Sequence, residues 1–459
     1  MKLLKLLFLI LIVVLFIFMP DFKSHLNKDF LLVYLIVFIA ALVIHFLLQK
    51  DKNWFRLDVL FLIGFAIVHF QWSLMILNGV SPIYLQYIYY ISDYITFGTW
   101  LSTISILMWM LGYNLIPLKK REKITYSINY KKLFWFTLLF FLLFLMTAGS
   151  GFFAGSVYKG EGGSATGAGI SVYFQLLAQI GILALTSVVV LNNKDNYKGS
   201  MLLWLKTIDK KYLLLMVSYI LIFLSVGDRG TSIQILMTFL ILFGSLIRPI
   251  SLKEFSIIIV TGAIVMTLIG LGRSAKSDEN ILLAGANRAN LSTNYDITIE
   301  LANSARTLYS ALNNVPQKHD YFYGDLWIAK FLALIPMSQN IYMQLSDVKP
   351  YELGSAGYIT YLRFGEHAHS GEGTSLIADI YLNFGITGSL VFMFLLGLFM
   401  KKLQNELNTQ KNLYWLISAG MFASLVFYMS RSNLFVTLRP IIWGILLVYL
   451  FTKKENNQK

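Results

Sequence analysis

The chain has 459 residues, of which 57% are hydrophobic, 15% aromatic and only 14% charged, with a formal net charge of +14 and a mean hydropathy of +0.64. A water-soluble domain carries about a quarter charged residues, so this composition belongs to a chain whose solvent is lipid, and it excludes intrinsic disorder, a coiled coil and collagen. The absence of cysteine removes disulfides, iron–sulfur ligation, thiolate zinc and a catalytic thiol, leaving chemistry to oxygen and nitrogen side chains.

A helix crossing the hydrocarbon core needs about 20 mostly apolar residues. Twelve such runs occur in chain order: 4–19, 31–48, 57–77, 94–115, 133–148, 170–191, 212–226, 231–246, 255–271, 375–400, 413–430 and 434–451. The first follows Lys2 and Lys5 like a secretory signal, but Met19-Pro20-Asp21 offers no small-residue cleavage site, which predicts a retained helix. Most lysines and arginines fall in alternate connections, above all 119–132 and 194–211. This asymmetry predicts that both termini are cytoplasmic. The positive charge then reflects topology and an anionic inner leaflet, and with no basic soluble domain no nucleic-acid partner is expected.

The expected fold is an all-α polytopic membrane protein of about twelve helices in three parts. Residues 1–272 hold helices one to nine, 273–374 form a long extracytoplasmic loop, and 375–459 hold helices ten to twelve and a cytoplasmic tail. The loop is expected to be ordered, because Ile299, Leu301, Ala302, Ala305, Leu308, Tyr309 and Leu312 recur at helical spacing. Its stretch 326–345 is apolar but broken by Lys330 and Pro336, with Trp327 and Tyr342, and reads as an interfacial or re-entrant helix. A thirteenth crossing there would invert the last three helices and place Lys401, Lys402 and Lys411 outside. No internal repeat relates the two halves, which weighs against a transporter built from repeats.

Charged residues gather at one membrane level. Gly227-Asp228-Arg229-Gly230 enters the eighth helix, Arg273 ends the ninth, Arg431 follows the eleventh and Arg439 begins the twelfth. Asp228 and Arg229 form either a structural pair closing a glycine turn or a functional site, since charge beside hydrocarbon is costly. A planar guanidinium donates two parallel hydrogen bonds to phosphate oxygens, so arginines at this level suit a lipid-linked diphosphate. Arg439 reads more simply as a helix-end anchor.

A second cluster ends the loop: Arg363, Glu366, His367, His369 and Glu372, interleaved with glycine. Histidine and glutamate are suited to take a proton from a sugar hydroxyl near neutral pH. The alternatives are solvated residues of a loop tip, or a metal pair at His367 and His369; with no cysteine and one other loop histidine, His319, no metal site is expected. Residues 149–169 hold eight of the 32 glycines around Tyr158, Lys159 and Glu161, lack a nucleotide-loop ending, and read as a lid or linker. His45 and His69 lack an acidic partner within their own spans and read as packed, neutral side chains. Ser375, Asp379 and Asn383 form one stripe on the tenth helix, and Gly385 and Gly388 are expected to admit a neighbouring helix.

The Gly227-Asp228-Arg229-Gly230 turn, the long second-half loop, and the run Gly373-Thr374-Ser375-Leu376-Ile377-Ala378-Asp379-Ile380-Tyr381-Leu382-Asn383-Phe384-Gly385-Ile386-Thr387-Gly388 resemble the Wzy-type O-antigen polymerases, or oligosaccharide repeat unit polymerases. The resemblance covers about 224–276 and 354–397. It implies a GT-C-like glycosyltransferase of the bacterial inner membrane, acting without nucleotide sugar, metal or other cofactor. Such an enzyme moves a growing glycan from one undecaprenyl diphosphate carrier onto a second, lipid-linked repeat unit, in contact with membrane lipids and a chain-length regulator. Family members show two elements of arginine, ten residues, then glycine. Here Arg273 is followed by Gly285, one position late, and Arg363 by Gly373, one early. The site expected from residues and resemblance together is therefore Arg229, Arg273, Asp228, Arg431 and Lys159 for binding substrate. Arg363 adds to the grip on diphosphate, and His369, Glu372, His367 or Glu366 orients the acceptor hydroxyl. An O-antigen ligase and a polysaccharide flippase are the rival readings.

Overall fold

The computed structural model describes residues 2–49, 51–80, 89–117, 128–153, 169–272, 287, 295, 297–368, 370–410 and 412–452. Every one of the twelve apolar runs is a helix. In chain order these are α1 (Lys2–Ile17), α2 (Lys28–Leu48), α3 (Leu57–Leu77), α4 (Ile95–Leu115), α5 (Tyr130–Thr147), α6 (Ser171–Asn192), α7 (Lys210–Ser225), α8 (Arg229–Leu242) and α9 (Leu252–Gly272). The loop contributes α10 (Ala305–Asn314), α11 (Asp325–Leu332), α12 (Ser338–Ser346) and α13 (Ser355–Phe364), and the bundle closes with α14 (Leu376–Thr409), α15 (Leu413–Leu425) and α16 (Leu438–Phe451). Among the described residues, eight helices are long and apolar enough to cross a membrane, and α1, α15 and α16 supply shorter apolar helices. Apolar side chains exposed on outer faces, such as Ile36, Ile39 and Val43 of α2 and Ile257 and Val260 of α9, are what lipid solvates and water does not.

The core lies around α4, whose Trp100, Leu101, Ile104, Leu107 and Trp109 are fully buried. Its closest neighbour is α14. A Cβ on Gly112 would stand 2.2 Å from the Phe394 carbonyl oxygen, and one on Gly397 equally close to that of Trp109, so only glycine permits this crossing.

The helix α14 is two helices joined across a kink at Gly385, which takes φ +63°. The break frees carbonyls, and the loop supplies their donors: Phe322 N–H donates to Leu382 O at 3.0 Å and Tyr323 N–H to Asn383 O at 2.9 Å. The space that the sequence predicts for a neighbouring helix at Gly385 is filled by the Tyr321 ring, and Gly388 faces its own Phe384. The expectation of helix–helix contact is corrected here, because a broken helix needs outside hydrogen-bond partners more than it needs a smooth packing face.

The predicted stripe on α14 fastens the loop. Ser375 Oγ caps the helix, Asn383 Oδ1 accepts from Gly324 N–H at 3.1 Å, and the buried Asp379 carboxylate accepts from Trp327 Nε1 (2.9 Å), Ser355 Oγ (2.5 Å) and Leu434 N–H (2.9 Å). One side chain thus joins α11, α13, α14 and the approach to α16. The amphipathic stretch forms as the spacing predicts: Ala302, Ala305, Leu308, Tyr309 and Leu312 are buried, and the Tyr309 ring packs where a Cβ on Gly98 of α4 would stand. The stretch 326–345 is split into α11 and α12 at Met337, too short to cross, with Phe331, Ile335, Met337, Ile341 and Leu345 exposed in the manner of an interfacial element.

Candidate functional site

The turn between α7 and α8 separates the two charges that the sequence places side by side. Gly227 takes φ +88°, and Asp228 caps α8 by accepting from Thr231 N–H (3.1 Å) and Thr231 Oγ (2.7 Å). A carboxylate satisfies donors that a helix N-terminus otherwise leaves open, which fixes where α8 begins. Arg229 turns the other way. Its Nη1 donates to the Met266 carbonyl of α9 at 2.7 Å, and its Nη2 donates to both oxygens of Glu300 at 3.1 and 2.8 Å. Gly270 makes room for it, since a Cβ there would lie 2.9 Å from the guanidinium carbon.

Glu300 belongs to a single helical turn, Ile299–Ala302, that the loop lays across this end of the bundle, with Thr298 Oγ donating to Gln71 of α3 at 2.7 Å. Arg431 approaches the same carboxylate, Nη1 to Oε1 at 3.8 Å. It can do so because α15 ends at Leu425, five residues before the predicted end of the run, and residues 426–437 cross this face as turns and one short 3-10 helix, Met429–Arg431, that carries Arg431, before α16 begins. The Asp379 bond to Leu434 N–H and Pro440 in the first turn of α16 set that boundary.

Arg229, Glu300, Arg431, Tyr428 and Thr298 form the polar end of a cavity of about 240 Å³. Its walls are Ile63 and Ile67 of α3, Ile233, Met237 and Leu240 of α8, and Ile258, Ile259 and Ala263 of α9. From Arg229 to Leu240 it follows α8 for about 16 Å at about 1.5 Å per residue. The arrangement is a slot for a chain-like apolar group with cationic donors at one end. A second opening of about 310 Å³, lined by Asp228, Arg229, Gly230, Gln234 and Tyr428, lies beside it.

A second charged group stands on the loop itself. Glu372, 5% exposed, lies between Arg306 of α10 (Nε to Oε2, 2.6 Å) and Arg363 of α13, which donates through Nη1 to Oε1 in a very short contact. Thr360 Oγ accepts from Glu372 N–H at 3.0 Å. Both carboxylate oxygens thus face guanidinium groups. Glu366 and His367 are exposed in the turn that follows α13, and the His319 ring stacks on Phe322 at 4.5 Å. Nearby, burial pushes the Lys330 ammonium below its usual range, with Asp379 acting in the opposite direction and Arg439 adding to the fall. Burial raises Tyr358 to about 12.

Of the expected site residues, the fold brings Arg229 and Arg431 onto one carboxylate and Arg363 onto Glu372, while Asp228 is engaged in capping. Arg273, Lys159 and His369, and the glycine-rich 154–168, lie outside the described residues. Two members of the site do not stand out in the sequence, Glu300 and Arg306. Both sit on the polar side of the amphipathic stretch that its apolar positions reveal, and charges flanking such a stretch are the signal that could have found them. Among the described residues no cluster of histidine, aspartate and glutamate is arranged to hold a metal ion.

No curated protein and no solved structure matches this chain. A family profile described as O-antigen polysaccharide polymerase Wzy matches residues 2–459, essentially end to end. The chain therefore belongs to the O-antigen polysaccharide polymerase Wzy family: an integral membrane protein and a glycosyl-transferring polymerase of glycan repeat units.

Proposed function

We propose that the protein transfers a growing glycan from one undecaprenyl diphosphate carrier to the terminal hydroxyl of a second carrier-linked repeat unit, at the outer face of the bacterial inner membrane with both termini in the cytoplasm. The observation that carries this reading is the apolar slot between α3, α8 and α9 that ends on Arg229 and Arg431. The slot is assigned to the first isoprene units of the carrier, with the diphosphate against the two guanidinium groups. In the transfer, the acceptor oxygen bonds to the anomeric carbon as the sugar–diphosphate bond breaks, and the bonding pair leaves with the diphosphate. Fixed guanidinium groups stabilise that charge as it develops.

Glu372, with both oxygens turned to arginines, is suited to holding Arg363 and Arg306 in place. The acceptor's proton is then assigned to Glu366 or His367 of the turn after α13, or to His369, which follows them in sequence; all three carry side chains able to take it.

The test is mass analysis of lipid-linked glycans from a strain lacking the protein and from the same strain carrying Arg229→Ala. Single repeat units on undecaprenyl diphosphate, with long polymer reduced at least about 100-fold and the variant retained in the membrane, is the expected result. Full-length polymer accumulating on the carrier would replace this reading with a ligase, and an unchanged glycan pool would overturn it.

A further inference from the structure

The mouth of the slot already holds an anion. Arg229 gives Glu300 a two-oxygen hydrogen bond and Arg431 faces the same carboxylate at 3.8 Å, so the anion that this pair shares comes from the loop. Glu300 is 55% exposed, whereas Arg229 is 15% exposed and tied to the Met266 carbonyl. If a ligand arrives, the carboxylate has water to turn into and the arginine does not.

We propose that Glu300 is a specificity-determining residue, an internal monoanion that occupies the Arg229–Arg431 pair until a ligand with more than one negative charge displaces it. The inference rests on the diphosphate reading of the slot. Its basis is the charge at the mouth. Among the described residues, Arg229 and Arg431 share the Glu300 carboxylate at the mouth, while the Asp228 carboxylate beside them is turned to the N-terminus of α8. A phosphodiester lipid carries one charge. Exchanging it for Glu300 trades one guanidinium–anion contact for another of equal charge and gains nothing electrostatically. A sugar diphosphate lipid carries two charges, one for each guanidinium, so displacing Glu300 then leaves both arginines engaged. Singly charged phosphodiesters are the commonest anions of a bacterial membrane surface and share an apolar tail, so shape alone does not keep them out. The resident carboxylate does, because specificity is a difference between two affinities and an occupied site lowers the weaker one.

The probes are a polyprenyl diphosphate N-acetylglucosamine and the matching polyprenyl monophosphate N-acetylglucosamine, which differ by one phosphate and one charge. Binding of each to the full-length protein in phosphatidylcholine nanodiscs gives a ratio of Kd values. The wild-type protein is expected to favour the diphosphate by at least about 100-fold. Glu300→Gln should shrink that ratio by about tenfold or more, chiefly through tighter binding of the monophosphate, a change equal to about 1.4 kcal/mol. Glu300→Asp, which keeps the charge, should restore most of the discrimination. A wild-type ratio near one overturns the proposal without any variant, and so does an unchanged ratio in a folded Glu300→Gln protein. If Arg229→Ala loses diphosphate binding while Glu300→Gln keeps the wild-type ratio, this inference falls and the proposed function stands. If Arg229→Ala binds the diphosphate lipid like the wild type, the reading of the slot itself falls.

Discussion

Two arginine–carboxylate groups at helix starts show opposite uses of the same chemistry. At the start of α3, Arg56 donates to both oxygens of Asp58 at 3.0 and 2.9 Å. Asn114 Nδ2 donates to His45 Nδ1 at 2.9 Å, so His45 Nε2 is the donor toward Asp58 at 3.0 Å. His45 and Asp58 are fully buried and Arg56 is nearly so. Burial opposes the charge on Arg56, but the Asp58 carboxylate overcomes it and raises the guanidinium further above its ordinary value. This is a set of partners closed off from solvent. The histidine does have an acidic partner, which comes from the next helix. At the start of α8, Arg229 and Asp228 part, and Arg229 and Arg431 share a half-exposed carboxylate beside an apolar slot. A charge cluster that is buried and fully matched holds helices together; one that is open, under-matched and next to a cavity can bind.

The comparison can be broken by exchanging the expected behaviours of the two arginines. Arg56→Ala strands a buried Asp58 and should cost about 3–5 kcal/mol of stability, seen as loss of folded protein in detergent melting curves. Arg229→Ala should leave melting within about 1 kcal/mol of wild type while abolishing long polymer. If Arg229→Ala melts as badly as Arg56→Ala, the α8 cluster is structural and the contrast fails.

A finer probe keeps every charge. Gly270→Ala pushes on the far end of the Arg229 side chain, a flexible group, so the fold should tolerate it and even gain a few tenths of a kcal/mol of helix propensity. Polymerisation should nonetheless fall about tenfold, as a misplaced guanidinium meets the diphosphate badly. Unchanged polymer output would mean that the position of Arg229 is not set by α9. The smallest effect is expected at Asp228. Removing its cap with Asp228→Ala should cost about 1 kcal/mol, and Asp228→Asn, which can still accept from Thr231, should restore most of it. Loss of polymer in Asp228→Asn without loss of stability would return this side chain to substrate binding.

Much of the fold was legible because lipid imposes a local rule. A run of about 20 apolar residues must satisfy its backbone within itself, so composition along the chain marks each helix. The amphipathic stretch around Leu308 and the broken piece at Met337 were legible for a similar reason, as their spacing or interruption is written in adjacent residues. Arg229 and Arg431 stood out because charge beside hydrocarbon is costly. What each charge touches was not legible. Asp228 and Arg229 are neighbours in sequence, yet one caps a helix and the other reaches Glu300 of the loop. Gly385 reads equally well as a packing glycine or a break, and the choice depends on Phe322 and Tyr323 arriving from the loop to take up its freed carbonyls.

The sequence by itself thus determined the solvent, the helices and the family, all of which arise from short-range composition and spacing. Only the tertiary structure decided that Asp379 is the fastening of the loop, that Glu372 is clasped by two arginines and that Glu300 stands between Arg229 and Arg431. Ion pairs and hydrogen bonds act over a few ångströms between residues up to a few hundred positions apart, and no local pattern encodes which of many charged side chains will meet once the helices pack.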